Sequence, residues 1–248
     1  MTATGRLLAA IEGTWPPAHA MQQGVWTIRD GAGGGKRVSA ATAQGDVADT
    51  DIAEAEAAML ALGQDRLFML RPGEDALDRQ LANHGYEVIA PVNLYVAPIS
   101  LLTDIPIPRV TAFAVWEPLA IMTEIWASAG IGPARIAIMH RPKVKTGILA
   151  RHADQPAGVG YVAIHNGVAM VHAVEALPHQ RRKGVAGWIM RRAAFWAAEN
   201  GADTLAVLCV ADNGPANALY QRLGFGSASG YHYRIKPAPE AGQPPEAP

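Results

Sequence analysis

The stretch Arg181-Arg182-Lys183-Gly184-Val185-Ala186 is followed, one helix and one strand later, by Asn213-Gly214-Pro215-Ala216-Asn217-Ala218-Leu219-Tyr220-Gln221-Arg222-Leu223-Gly224-Phe225. The first segment is a basic, small-residue turn that opens an apolar helix. N–H groups in a helix's first turn lack intrahelical partners and carry the positive end of the helix dipole, so they can hold phosphate oxygens. Gly184 and Ala186 leave room for a pyrophosphate against the main chain, and Arg181, Arg182 and Lys183 add charge-assisted contacts. Either segment alone is a weak signal. The pair at this spacing is specific.

Together the two segments resemble the GNAT superfamily of acetyl-CoA-dependent N-acetyltransferases. The pyrophosphate loop of that family reads Gln/Arg-x-x-Gly-x-Gly/Ala, and Arg181, Gly184 and Ala186 fill it. Its later block reads Asn-x-x-Ala-x-x-Leu-Tyr-x-x-Leu-Gly-Phe, matched by Asn213, Ala216, Leu219, Tyr220, Leu223, Gly224 and Phe225. The resemblance spans residues 105–237. It implies a mixed α/β fold of the α+β type, with a central, mixed, splayed β-sheet flanked by helices. It also implies acetyl-CoA as co-substrate, no metal, and transfer to an amine by direct attack in a ternary complex.

Composition narrows the class. Half of the 248 residues are hydrophobic, enough for a sizeable core in one large domain or two small ones. A net charge of −1 argues against a nucleic-acid binder. Cys209, the one cysteine, allows no internal disulfide and fits a reducing compartment. No apolar run reaches membrane-spanning length, and no apolar h-region follows Met1. A soluble, cytoplasmic protein with no membrane partner is the expectation. The tail 238–248, rich in Pro, Ala, Glu and Gly, has nothing to bury and is expected to be disordered.

In the second half, strands are expected at 110–115, 144–150, 158–164, 168–174, 205–210 and 231–235. Helices are expected at 119–128, 184–200 and 215–222. Asn166-Gly167 between two apolar runs is a hairpin signal, since both residues accept positive φ. The first half carries a fainter version of the plan. Strands are expected at 25–29, 37–41 and 67–70 and helices at 51–62 and 76–83, with Gly85-Tyr86 standing where Gly224-Phe225 stands later. Residues 44–50 hold no basic Gly-x-Ala loop, so residues 1–104 read as a degenerate GNAT-like module lacking the coenzyme machinery, followed by a catalytic domain at 105–237. Residues 100–108, with Pro106 and Pro108, read as the linker.

Acetyl transfer to an amine needs a held thioester, a neutral amine, stabilisation of an oxyanion and a proton for the departing thiolate. The resemblance assigns the pyrophosphate to Arg181, Arg182, Lys183, Gly184, Val185 and Ala186. It assigns the pantetheine arm to the backbone around Val174, Glu175 and Ala176, where the family splays two parallel strands, with the N–H of Val174 or Ala176 as oxyanion donor. Asn213 and Ala216 open the helix of the later block; Asn213 caps it, bonds the coenzyme arm, or does both. Tyr220 matches the family's general acid; alternatively it only packs or bonds the coenzyme.

Where relatives place a carboxylate base, this chain has Met170 and Leu208. Two candidates remain. His172 can take a proton near neutral pH, or it is a histidine bonded into the core. Glu175 is a base or a solvated rim charge. Cys209 reads as a buried structural thiol, and His140, Arg141 and His152 are candidates for the acceptor side. The acceptor is a small-molecule or peptide amine. Two alternatives stay open: a longer acyl-CoA as donor, or a CoA-ester-binding regulator without turnover. The N-terminal module walls the acceptor groove or mediates homodimerisation.

Overall fold

A computed structural model describes residues 3–236 of the chain; the tail expected to be disordered, 238–248, lies outside them. The first half contains α1 (Ala3–Thr14), β1 (His19–Gln23), β2 (Trp26–Asp30), α2 (Lys36–Ser39), β3 (Thr42–Ala43), α3 (Asp49–Ala61), β4 (Leu67–Leu70), α4 (Asp75–Asn83) and β5 (Glu87–Pro98). The second contains β6 (Ala112–Val115), α5 (Ala120–Ser128), α6 (Pro133–His140), β7 (Val144–His152), β8 (Gln155–His165), β9 (Val168–Ala176), α7 (Val185–Glu199), β10 (Thr204–Val210), α8 (Gly214–Arg222) and β11 (Gly226–Ile235). No helix among the described residues is long and apolar enough to cross a membrane.

These elements form two compact units, residues 3–17 with 92–229 and residues 18–91 with 230–236. The division is not the expected cut at 104/105, and strand pairing explains why. Residues 92–98 of β5 run antiparallel to all of β10, while residues 232–235 of β11 run antiparallel to β4. Each half therefore gives its last strand to the other half's unit.

In the first unit the strands run β5-β10-β9-β8-β7-β6, with β9 and β10 parallel and the other neighbours antiparallel. The β8–β9 hairpin closes on Asn166-Gly167 at φ 49° and 75°, the two positive angles that a tight turn there requires. A crossover through α7 joins the parallel pair. Val185, Ile189, Met190, Ala193, Ala194 and Ala197 of α7 are buried at helical spacing, against Ile148, Ala150, Val162, Ala169 and Val171 of the sheet. The helix stops at Asn200 and Gly201, whose φ of 78° suits a residue without a Cβ. Helices α1 and α5 pack on β8 and β9 as well. Strand alternation puts them on the opposite face: His172 meets Thr14 of α1, Tyr161 meets Trp15 just after it and Gly147 meets Met122 of α5, while their neighbours Val171, Val162 and Ile148 join the α7 core. Arg191 donates to the Leu102 carbonyl (3.2 Å) and pairs with Asp104, tying α7 to residues 102–104.

The second unit is built on a small core of Trp26, Ile28, Ile52, Met59, Phe68, Leu70, Leu81 and Tyr86. Its strands are β1-β2-β3 and the β4–β11 pair. Residues 37–41, expected as a strand, are mostly the short helix α2, which is stopped at Ala40 before β3 begins. Asp78 accepts from both arms of Arg234 (2.8 and 2.9 Å) and from His232 (2.7 Å); these hydrogen bonds hold its carboxyl at about 2. The order α3-β4-α4-β5 repeats α7-β10-α8-β11. The two long helices open differently. In α3, Asp49 and Asp51 occupy the first turn and the Asp51 carboxylate accepts from the Ala48 N–H (2.8 Å), so acid already fills the positive end.

Candidate active site

The first turn of α7 holds no acidic residue, and no side chain caps it. Ahead of it, Arg182 and Gly184 both take left-handed backbone angles, φ 62° and 79°. Residues 181–184 are exposed as a consequence. At Gly184 the φ, not crowding, demands glycine, since an added Cβ would meet only the Trp188 indole nitrogen, at 3.9 Å. The α7 terminus thus presents N–H groups, a dipole and three cations to one exposed bend, and it lacks the carboxylates that close off α3.

Two glycines of β8 set where this helix sits. A methyl on Gly158 would come 2.8 Å from Val185 Cγ1 and 2.6 Å from the Glu175 carbonyl oxygen; one on Gly160 would come 2.5 Å from Ile189. Without side chains there, α7 rests directly on the sheet and its leading edge lies against the end of β9.

At that end the sheet opens. Strands β9 and β10 pair only from Val168↔Thr204 to Val171↔Val207, whereas β9 stays paired with β8 as far as Ala176. Residues 172–176 of β9 and 208–210 of β10 therefore have no ladder between them. A bulge accompanies the opening: Val159↔Glu175 and Tyr161↔His172 leave two residues of β9 opposite one of β8, with Ala173 at φ 51°. Trp126 of α5 donates its indole N–H to the Ala173 carbonyl (2.9 Å) and fixes the bulge. Beyond it, Leu177 N–H donates to Ala157 (3.0 Å), so by antiparallel alternation the Ala176 N–H faces away from β8, toward the opened edge.

Tyr220 of α8, Cys209 of β10 and Glu175 of β9 border this gap. Tyr220 is 5% exposed, with its ring 5.6 Å from Tyr95 and 6.0 Å from Phe225. Its hydroxyl donates to no described residue. Burial, reinforced by Cys209 and then Glu175, pushes that hydroxyl well above the usual tyrosine range. Glu175 is half-buried; burial raises its carboxyl, and Arg181 from the phosphate loop partly offsets the rise. Burial alone raises the Cys209 thiol, the setting of an inert cysteine.

His172 lies on the other face. The Thr14 hydroxyl gives its proton to the Ala10 carbonyl (2.6 Å), so its oxygen accepts from His172 Nε2 (2.9 Å). Trp15 covers the ring at 4.9 Å. His172 is thus bonded into the core under α1. An aromatic row continues from it through Tyr161 to Trp116 and His140, with Lys145 Nζ 5.1 Å from the Trp116 ring. Of the residues read as acceptor-side candidates, His140 joins this row. Arg141 donates to the Pro16 carbonyl (2.8 Å), and His152 sits at the β7–β8 turn, beside the phosphate loop.

In the later block, Asn213 Oδ1 accepts from the Ala216 N–H (3.2 Å) and caps α8. Asn217 is buried and fully engaged. It donates to the Val210, Ala211 and Asn213 carbonyls (3.0, 3.1 and 2.8 Å) and accepts from Asn93 (3.0 Å) and the Tyr95 hydroxyl (2.9 Å). Asn93, Tyr95, Trp15, Trp116 and Trp126 are not legible as site residues, because each meets its partner from a different element of the chain.

A family model, Acetyltransferase (GNAT) family, matches residues 116–225, which contain the loop, the bulge, the splay and Tyr220. Those residues are a GNAT domain. The chain is 26% identical over 241 residues to an uncharacterized N-acetyltransferase of Bacillus subtilis (strain 168), YobR, covering 93% of this chain and 96% of that one. A GCN5-related N-acetyltransferase from Kribbella flavida shares its fold over 97% of this chain and 98% of its own, with TM-score 0.72 and 20% identity. A tandem GNAT protein from the clavulanic acid biosynthesis pathway matches over 90% and 85%, with TM-score 0.59 and 13% identity. The GNAT domain makes the chain an acyltransferase.

Proposed function

We propose that the first unit transfers an acetyl group from acetyl-CoA to a primary amine, by direct attack while both substrates are bound. The observation that carries this reading is the opening of β9 from β10 at Val171 and Val207, directly below an uncapped, cationic helix terminus. The residues fit a coenzyme thioester. Gly184 leaves space for phosphate, Arg181, Arg182 and Lys183 supply charge, and residues 174–176 offer strand-like pairing to the amides of a pantetheine arm.

In the reaction the neutral amine attacks the thioester carbonyl carbon, forming the C–N bond and moving an electron pair onto oxygen. The Ala176 N–H, with Val174 beside it, faces that oxyanion. The C–S bond then breaks and sulfur leaves with the bonding pair. Tyr220 is held protonated by burial and donates to the sulfur. A phenol held that high does not stay ionised, so the proton taken from the amine passes on to it and restores the site for the next turnover. Glu175 receives the amine proton, because its raised carboxyl is a stronger base than an exposed glutamate. His172 is a positioning residue for β9, its Nε2 committed to Thr14.

The test is incubation of the full chain with acetyl-CoA and an amine library, following free thiol and acceptor mass. A gain of 42 Da on an amine, with one thiol per transfer, is the expected result (roughly the mass of an acetyl group less a proton). Tight acetyl-CoA binding without transfer to any amine would overturn the catalytic reading. Unchanged coenzyme affinity after Arg182→Glu would overturn the placement of the pyrophosphate.

A further inference from the structure

A cavity of about 250 Å³ lies beside the α7 terminus, bordered by Arg109 ahead of β6, Arg151 at the end of β7, Asp154 in the β7–β8 turn, and Lys183, Val185 and Trp188. We propose that it takes the 3′-phosphate of the coenzyme whose pyrophosphate lies on α7, an assignment that rests on the acetyl-CoA reading.

Three observations support the proposal. Three cations face one carboxylate across the cavity, and no carboxylate pairs with Arg109, Arg151 or Lys183 among the described residues. Two of the three are nevertheless fixed in place by neutral groups. Arg151 donates to the Asp154 carbonyl (2.6 Å), and Lys183 donates to the amide oxygen of buried Gln180 (3.1 Å). Positions held without neutralisation favour an anion in the space between them.

The second observation is adjacency. Lys183 and Val185 border the cavity and also belong to the phosphate loop. In coenzyme A one ribose separates the pyrophosphate from the 3′-phosphate, so a ligand anchored on the loop brings its second anionic group into this neighbourhood. The third is size. The cavity exceeds the roughly 30 Å³ share of a water molecule several-fold, yet falls below the roughly 300–1,000 Å³ of a pocket enclosing a whole ligand. It suits one charged end of a molecule bound elsewhere. The guanidinium fork of Arg109 or Arg151 matches a phosphate monoester's geometry.

The test is calorimetry of the full chain with coenzyme A and with 3′-dephospho-coenzyme A, repeated on the double variant Arg109→Ala, Arg151→Ala. Removing the 3′-phosphate should weaken binding roughly 10- to 100-fold, the worth of a charge-assisted hydrogen bond. In the double variant that ratio should fall to within about threefold, with dephospho-coenzyme affinity retained as the measure of an intact fold. Equal affinities of the wild-type chain for the two ligands, or an undiminished ratio in the variant, would overturn this assignment alone. Binding of neither ligand would overturn the coenzyme reading itself.

Discussion

Replacing Tyr220 with Phe separates chemistry from packing, because the structure assigns the two jobs to different atoms. The ring is 5% exposed and packs at 5.6 and 6.0 Å on Tyr95 and Phe225, contacts that phenylalanine keeps. The hydroxyl has no hydrogen-bond partner among the described residues, so its removal forfeits none of the roughly 1 kcal/mol that such a bond contributes. Stability should be unchanged or slightly higher. Tyr95→Phe provides the contrast: its hydroxyl donates to Asn217 (2.9 Å), and the variant should lose about 1 kcal/mol. Activity should move the other way. General acid catalysis at its modest end contributes about 10- to 1000-fold, or roughly 1.4–4 kcal/mol of transition-state stabilisation. Steady-state thiol release with saturating acetyl-CoA and amine should therefore show kcat of Tyr220→Phe down by that factor, with coenzyme affinity and melting temperature held. An unchanged kcat would refute the acid role. A lower kcat accompanied by an equal loss of stability would refute the division of labour.

Glu175→Gln should remove the acidic limb of kcat/KM. The raised carboxyl means activity rises with pH through a point above the ordinary glutamate range, and a limb that persists in the variant would exclude Glu175 as base. The same upward shift makes the ionised form unfavourable in the folded state. That penalty is absent below the unfolded value and complete above the folded one, so Glu175→Gln should melt no lower than wild type at neutral pH. His172→Ala should lower stability by about 1–3 kcal/mol through its lost bond to Thr14 and its packing on Trp15, and should leave the pH profile where it was. Asn217→Ala should cost about 2–4 kcal/mol in urea denaturation, since it strips the Asn93 amide, the Tyr95 hydroxyl and the Ala211 carbonyl of the partner it gave them. Gly158→Ala should cost about 1–3 kcal/mol by overpacking and should weaken coenzyme binding, because the new methyl presses on Val185 and the Glu175 backbone.

The parts of the site legible in sequence are those whose logic is local. Gly184 and the Asn213 cap announce themselves because a left-handed angle and a helix cap each favour particular residues at one position. Asn166-Gly167 is readable for the same reason. Helix α6 and strand β5 were not. α6 begins with Pro133 at its first position, where proline also reads as a loop. β5 carries Pro91 and Asn93 in its middle and a positive φ at Ala90, which breaks the two-residue pattern of a strand. The misassigned 37–41 segment is too short for either period to declare itself. The splay at Val171 and Val207, the bulge at Ala173 and the Thr14 clamp on His172 depend on distant partners, and no window along the chain contains both sides.

The reciprocal gift of β5 and β11 has a consequence for any attempt to cut this protein in two. Severed at 104/105, the upstream piece would carry the strand that covers β10, and the downstream piece the strand that covers β4. Each product alone would expose an unsatisfied row of amides and a raw apolar seam, the condition that drives insolubility. Expressed together they hold complementary missing parts, which makes this scission point a natural choice for a two-fragment reporter whose activity returns only on reassembly.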